Sequence, residues 1–230
     1  DPAHPRLVAR YDSIEFATGI CKAGDVLFVA CRTFGVELVD VSEPSDPRHL
    51  SLVRTGEAQS VVVRNGLLYA GVWAASQVVT VDVTNPLDPR ILSRTGLDGF
   101  GDGVDVSKNY LFAATGHHSN DRPRSKPGDP GYGRGHGLEI LSLETPESPK
   151  PVAQVKFPEF YDIHHDMWSV TIANGHAFVA DTHNGVFVVN VRKPQTPTIA
   201  AHWNPPPTND PDQPDYVGGL VPGDGYIYVA

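Results

Sequence analysis

The amino-acid sequence predicts an all-β fold, a β-propeller built from four-stranded antiparallel units. Three observations lead to this prediction: a segment that recurs about every 42 residues, short stretches rich in β-branched and apolar residues, and turn residues between those stretches. The 22 glycines and 21 prolines are spread along the 230 residues, which is typical of many turns between short strands. One domain over residues 1–230 is therefore expected.

The recurring segment is clearest in its first two copies. Residues 39–48 read VDVSEPSDPR, and residues 81–90, which lie 42 positions later, read VDVTNPLDPR. Weaker copies stand at 141–150 (LSLETPESPK) and 189–198 (VNVRKPQTPT), and every copy contains Pro-x-x-Pro. A four-stranded unit of about 42 residues is typical of a propeller blade. A β-sandwich is the alternative fold, but it does not require so regular a repeat.

The strands are best predicted in the second copy, where each is rich in β-branched or apolar residues. The four predicted strands are 59–64, 67–72, 77–83 and 90–95. The third is apolar on both faces, as expected for a sheet that lies between two neighbours. Asn65-Gly66 between the first two strands predicts a tight hairpin, as do Asn174-Gly175 and Asn184-Gly185 in the fourth copy.

The copies divide the chain into repeat units, each predicted to form one blade. The predicted units are 17–56, 57–98, 99–160 and 161–204, with partial units at 1–16 and 205–230. Ser142 follows Asp82 by 60 residues instead of 42, so the third unit carries an insertion, which we assign to a loop at 116–137. Because the partial units together lack a third strand, further sequence is expected to complete the ring.

Charge and composition exclude some classes of partner. The formal net charge of −9 argues against nucleic acid, because phosphate binding depends on Lys and Arg. No apolar run approaches the roughly 18 residues that a membrane span requires. Cys21 and Cys31 flank a predicted hairpin and lie out of register with each other, so two free thiols are expected.

The repeated pattern resembles a known family. Residues 35–47 (GVELVDVSEPSDP) and their copies are similar to the LVIVD repeat, an apolar strand followed by Asp, Ser or Thr, and Pro-x-x-Pro. The third and fourth copies carry Ser142 and Asn190 where the first two have Asp40 and Asp82. The resemblance implies a propeller of a kind often found in exported, periplasmic or cell-surface bacterial proteins. It implies no single activity, because the repeat specifies a scaffold.

Six of the ten histidines fall in predicted loops at one end of the blades. In an up-and-down meander, the loop between the second and third strands lies at the same end as the connection into the first strand; we call this end the upper face. The candidate metal ligands there are His117, His118, His136, His164, His165, His183 and Asp181. The candidate ligand-binding residues are Tyr161, Asp162, His164, His165, Asp166, Asp181, His183, Tyr132 and Trp73.

The histidine-rich loops have two interpretations, and both stay open. Imidazole with Asp as a hard co-ligand suits a divalent transition metal, which is the candidate cofactor. Alternatively, these are turn and surface residues that hydrogen-bond the long loop to its neighbours. The repeated Asp40 and Asp82 are predicted to accept hydrogen bonds from turn amides and to have no catalytic role, because they recur in successive units.

Two functions are compatible with this sequence. The first is a binding or assembly module outside the cytoplasm, whose upper face holds a carbohydrate or protein partner. The alternative is a metal-dependent hydrolase or lyase acting on carbohydrate, in which the histidines supply ligands or general bases and Asp166 or Asp181 orients them. Catalytic residues stay unassigned, because the sequence contains no nucleophile elbow, phosphate-binding glycine loop, zinc-binding Cys pairs or calcium loop.

Overall fold

The computed structural model describes residues 4–116, 135–157, 168–182, 184–206 and 216–230. In these ranges the regular elements are all β-strands, which form four sheets of four strands and one sheet of two. Each sheet is an antiparallel meander, since its strands are ordered as they occur in the chain. We number the four-stranded sheets as blades 1 to 4.

The strands have the following bounds. Blade 1 contains β1 (Gly19–Ala23), β2 (Val26–Ala30), β3 (Val36–Asp40) and β4 (Arg48–Val53). Blade 2 contains β5 (Ala58–Arg64), β6 (Leu67–Val72), β7 (Gln77–Asp82) and β8 (Arg90–Gly96). Blade 3 contains β9 (Phe100–Ser107), β10 (Tyr110–Gly116), β11 (Gly137–Ser142) and β12 (Lys150–Lys156). Blade 4 contains β13 (Ser169–Ala173), β14 (His176–Ala180), β15 (Val186–Asn190) and β16 (Thr198–Trp203), and the last sheet contains β17 (Leu220–Gly223) and β18 (Tyr226–Val229).

The blades are arranged as in a propeller. The first strand of each sheet contacts the first strand of the next, from β1 through β5, β9 and β13 to β17. Apolar side chains fill the space between neighbouring blades: Phe28 and Leu38 of blade 1, for example, share a core with Leu68 and Val79 of blade 2. Third strands are buried on both faces, as the sequence predicts for sheets between two neighbours. The predicted β-propeller fold is confirmed.

Two of the three predicted tight hairpins are present. Asn65 and Gly66 both have positive φ, 51° and 77°, as a two-residue type I′ turn requires, and Asn174 and Gly175 repeat this with 50° and 75°. The prediction of a two-residue turn at Asn184-Gly185 is wrong. There β14 ends at Ala180 and β15 begins at Val186, so five residues form a wider turn.

The end of the blades opposite the upper face repeats one turn motif. Asp40 Oδ1 accepts a hydrogen bond from the Ser42 amide at 2.9 Å, and Asp82 Oδ1 accepts one from the Thr84 amide at 2.9 Å. Ser142 and Asn190 occupy the same position in blades 3 and 4 and accept from the amide two residues later. The predicted structural role of Asp40 and Asp82 is confirmed.

The two cysteines are free thiols, as predicted. Cys21 lies opposite Phe28 in the β1–β2 register, which places it well away from Cys31. Across the described ranges, there is no helix with the length and apolar character needed to cross a bilayer.

Candidate functional site

Three of the candidate site residues lie within the described part of the chain, all on the upper face. His136 immediately precedes β11, Asp181 immediately follows β14, and Trp73 immediately follows β6. The other candidates lie outside the described residues: His117, His118, Tyr132, Tyr161, Asp162, His164, His165, Asp166 and His183.

His136 of blade 3 and Asp181 of blade 4 contact each other. The distance from His136 Nε2 to Asp181 Oδ2 is 3.1 Å, and the same carboxylate oxygen accepts a hydrogen bond from Asn184 Nδ2 at 3.0 Å. All three side chains are buried, with exposed fractions of 2% for His136 and 0% for Asp181 and Asn184. We call these three residues the upper polar cluster.

The backbone of the 181–185 turn holds the cluster in place. The Asp181 amide donates to the Gly185 carbonyl at 2.9 Å, and the Asn184 amide donates to the Asp181 carbonyl at 2.7 Å. Thr182 has a positive φ of 41° and forms an isolated β-bridge with Val217, whose amide donates to the Thr182 carbonyl at 3.1 Å. The turn is therefore fixed from within and from the neighbouring sheet.

Several buried oxygens of this turn lack a hydrogen-bond partner among the described residues. They are Asp181 Oδ1, Asn184 Oδ1 and Thr182 Oγ1. A buried polar atom without a partner carries a desolvation cost of about 1 to 3 kcal/mol, so such atoms are uncommon in native proteins. Three of them within four residues indicate a place where another group is expected to bind.

Aromatic rings surround the upper polar cluster. The His136 ring meets Phe157 edge-on at 6.4 Å, Phe157 stacks on Phe187 at 4.2 Å, and Phe187 stacks on His202 at 4.2 Å. His202 Nε2 in turn donates to the Asn184 carbonyl. The cluster therefore rests on an aromatic layer between blades 3 and 4, and its low-dielectric surroundings strengthen any electrostatic interaction made there.

Two further aromatic residues lie exposed beside the same turn. Trp168 and Tyr216 form an edge-on pair with ring centroids 6.3 Å apart, and they are 42% and 48% exposed. The Trp168 amide donates to the Ala180 carbonyl at 3.2 Å, and Tyr216 precedes the Val217 that bridges to Thr182. Trp73 instead packs on Phe100 at 4.7 Å, where blade 2 meets blade 3.

The described residues bring together only part of the predicted metal-ligand set. His136 and Asp181 meet, but no group of three or more His, Cys, Asp or Glu side chains converges among the residues that the structure describes. Asn184, Thr182 and His202 were missed by the sequence analysis. The spacing Asp181-x-x-Asn184 is a signal that could have pointed to Asn184, because both residues carry oxygens three positions apart in one turn. His202 lies in a fourth strand, and nothing in the sequence distinguishes it.

A second buried carboxylate, Glu37 of blade 1, is fully hydrogen-bonded. Its Oε1 accepts from Tyr11 Oη at 2.6 Å and from His49 Nδ1 at 2.8 Å, and its Oε2 accepts from the Ile14 amide at 3.0 Å. Burial acts to raise the pKa of Glu37, but these hydrogen bonds more than offset it and hold the pKa below its ordinary value. Glu37 thereby attaches residues 11–14 to blade 1.

Glu139 occupies the same strand position in blade 3. Its Oε1 accepts from the amides of Asp98 at 2.8 Å and Gly99 at 3.1 Å, so it holds the connection that leads into β9. Here burial outweighs the hydrogen bonds and raises the pKa of Glu139. Both glutamates therefore serve the scaffold, and neither belongs to the upper polar cluster.

The repeats and the blade-like sheets together define a repeat protein of the β-propeller class. The LVIVD repeat model matches residues 17–55, 55–94 and 166–204, which make up half of the chain. The chain therefore belongs to the LVIVD repeat family, and the resemblance seen in the sequence is confirmed. No curated protein sequence matches the chain.

One solved structure supports the fold. The chain is similar to the computationally designed Ika8 protein, with a TM-score of 0.58 and 8% sequence identity over 93% of this chain and 54% of the designed one. This chain thus spans about half the length of that protein. The designed Ika4 protein gives a TM-score of 0.48 at 8% identity, over 87% of this chain and 99% of that one.

Proposed function

We propose that this β-propeller is a binding or assembly module that acts outside the cytoplasm and holds a ligand on the upper face of blades 3 and 4. The observation that carries the proposal is the exposed pair of Trp168 and Tyr216, which lies beside the buried upper polar cluster. The equivalent turn of blade 1 contains no carboxylate of its own, which supports a separate role for Asp181.

Blade 1 builds the corresponding turn with Cys31 at the position of Asp181, and the Cys31 thiol contacts the buried Glu37 at 3.9 Å. The Cys31 amide donates to the Gly35 carbonyl at 2.8 Å, as Asp181 does to Gly185, and Arg32 bridges to Ala58 as Thr182 does to Val217. In sequence, blade 1 places Cys31 and Phe34 where blade 4 places Asp181 and Asn184. Burying a carboxylate is costly and the turn forms without one, which supports a functional reason for Asp181.

The ligand we favour is a carbohydrate, with a protein partner as the other occupant that the test distinguishes. Exposed Trp and Tyr rings stack on the apolar faces of sugars, and a rim of polar groups fixes their orientation. The net charge of −9 disfavours nucleic acid. The proposed location outside the cytoplasm rests on the family resemblance alone.

A glycan array, followed by calorimetry on any hit, tests this proposal with three single variants. Trp168→Ala and Tyr216→Ala are each expected to weaken binding at least about 10-fold, because an aromatic contact contributes roughly 1 to 3 kcal/mol at such sites. Arg192→Ala is the control, because Arg192 lines a groove of about 540 Å³ between blades 3 and 4 at the end opposite the upper face.

If Arg192→Ala abolished binding and Trp168→Ala left it intact, the ligand would bind at the end opposite the upper face, and the proposal would be refuted. No binding to any glycan, together with a partner protein whose affinity depends on Trp168, would replace carbohydrate by protein as the ligand class.

A metal-dependent hydrolase or lyase is the second candidate, and the His136–Asp181 contact favours it. A carboxylate that accepts from one imidazole nitrogen fixes the ring and its tautomer, the arrangement by which a general base or a metal ligand is oriented. Polysaccharide turnover that a chelator stops and His136→Ala abolishes would support this candidate. Turnover that both treatments leave unchanged excludes it.

A further inference from the structure

We propose that the 181–185 turn and His136 together bind one divalent transition-metal ion, with Asp181, Asn184 and His136 as protein ligands. This inference specifies the metal site of the second candidate function, the metal-dependent enzyme. It rests on that proposal only in assuming that a metal ion binds at this face. A bound ion that supports no turnover would leave this inference standing and exclude the enzyme.

The distances within the upper polar cluster suit donors that share one ion. His136 Nε2 and the Asn184 amide lie 3.1 and 3.0 Å from the same oxygen, Asp181 Oδ2. Two donors at right angles on an ion with bonds of about 2.1 Å lie about 3 Å apart. Two of the three pairs in the cluster therefore already have a spacing that an ion requires, and rotation of the Asn184 amide would present its oxygen instead of its nitrogen.

The unsatisfied oxygens point to a small cation as the missing group. Asp181 Oδ1, Asn184 Oδ1 and Thr182 Oγ1 have no hydrogen-bond partner within the described ranges, and all three residues are at most 3% exposed. A sugar or a peptide cannot reach atoms so deeply buried, whereas a single ion can. Two of the three atoms are pure acceptors, and electron-pair donors of this kind are what a cation binds.

The charge at the cluster also favours a cation. Among the described residues, the ionic contact made by Asp181 is with His136 alone. A divalent ion would balance the carboxylate of Asp181 in a buried site whose His136 ring packs against Phe157. Imidazole combined with carboxylate and amide oxygen suits Zn²⁺ or Mn²⁺ better than Ca²⁺, which prefers all-oxygen sites.

Calorimetric titration of the chelator-treated chain with Zn²⁺, and separately with Mn²⁺, tests the inference. One ion is expected to bind at this site. Asp181→Asn and His136→Ala are each expected to lower the affinity for the ion about 100-fold, because loss of even an outer-shell partner of a metal ligand lowers metal affinity roughly 10- to 100-fold. Asp88→Asn is the matched control: it removes the same charge from an exposed turn at the opposite end, where Asp88 pairs with Arg90, and is expected to leave affinity unchanged.

A variant that gains affinity guards against misfolding. Asn184→Asp adds a second carboxylate at the same position and is expected to strengthen binding about 10-fold, a result that an unfolded protein cannot give. Trp168→Ala is expected to keep full metal affinity even if it abolishes glycan binding, so the failure of one proposal is distinguishable from failure of the other. Absence of binding by both ions, or equal affinity in the unchanged chain and Asp181→Asn, overturns the inference.

Discussion

The upper turns of blades 1 and 4 have the same backbone and different side chains. Both close with an amide-to-carbonyl bond across four residues, from Cys31 to Gly35 and from Asp181 to Gly185, and both bridge to the next sheet. Inside this shared frame, blade 1 presents a thiol and blade 4 presents a carboxylate. The comparison teaches that the repeat specifies the turn, while the chemistry on the turn is free to vary from blade to blade.

The buried carboxylates of the two blades extend the comparison. Glu37 of blade 1 accepts hydrogen bonds through both oxygens, from two side chains and one backbone amide in two separate segments. Asp181 of blade 4 accepts through Oδ2 only, and its Oδ1 has no partner in the described part of the chain. A carboxylate whose two oxygens both accept hydrogen bonds stabilises the fold. A buried carboxylate with one oxygen lacking a partner is typical of a site that binds another group.

The largest predicted effect tests whether the two turns share one backbone requirement. Gly35 and Gly185 have positive φ, 101° and 79°, and an added Cβ would lie 2.3 Å from the Val53 carbonyl oxygen and 2.3 Å from the Trp203 carbonyl oxygen. Gly35→Ala and Gly185→Ala should each lower the free energy of unfolding by about 3 kcal/mol or more, because strain and a backbone clash add. Urea denaturation measures both.

Gly24→Ala is the control for that pair. Gly24 also has a positive φ, 58°, but an added Cβ would meet nothing within 4 Å, so only the conformational cost of about 1 kcal/mol is expected. Equal losses at Gly24 and Gly185 would show that the close approach to Trp203 is not what makes glycine necessary.

The second prediction separates the structural carboxylate from the functional one. Glu37→Gln keeps the shape but removes the charge that Tyr11, His49 and the Ile14 amide stabilise, so it should cost about 2 kcal/mol. Asp181→Asn in metal-free protein should change the free energy of unfolding by less than about 1 kcal/mol, or raise it, because a poorly satisfied charge is removed. A loss at Asp181 as large as that at Glu37 would contradict the functional assignment.

The contrast between these two residues also explains what the sequence could predict. Pro-x-x-Pro and the preceding Asp, Ser or Asn act within a few residues, so the blades, the turns at their ends and the role of Asp40 follow from local chemistry. The partners of Glu37 depend on contacts between residues 12 to 26 positions apart, Asp181 depends on a contact with His136 of the neighbouring blade, and His202 lies in an ordinary strand. Such contacts form only through tertiary packing, so a single sequence contains no local signal that predicts them.

The third prediction concerns pH and compares Glu37 with Glu139, its counterpart in blade 3. The pKa of Glu37 is lowered from 4.5, so its stabilising contribution is present above pH 4.5 and is lost as the pH falls through the pKa of the folded state. The pKa of Glu139 is raised by burial from the same ordinary value, so the folded state keeps a proton that the unfolded chain has released, and stability falls as the pH rises from 4.5.

Urea midpoints on either side of pH 4.5 measure these opposite slopes. Glu37→Gln should flatten the acid side of the profile, and Glu139→Gln should flatten the decline above pH 4.5. If both variants altered the same side of the pH–stability profile, the two glutamates would have the same electrostatic surroundings. That result would contradict the different hydrogen bonds that Glu37 and Glu139 make.

The smallest predicted effect lies at the opposite end of the blades, where blades 1 and 4 are alike. Asp40 accepts from the Ser42 amide at 2.9 Å and Asn190 accepts from the Arg192 amide at 3.1 Å, so a charged and a neutral side chain perform the same task. Asp40→Ala and Asn190→Ala should each lower the melting temperature slightly and by similar amounts, because an exposed turn hydrogen bond is lost in both. Asp40→Asn retains the acceptor and should leave the melting temperature unchanged. Differential scanning calorimetry measures all three variants, and a large loss in Asp40→Asn would mean that blade 1 depends on the charge of Asp40, which the neutral Asn190 of blade 4 gives no reason to expect.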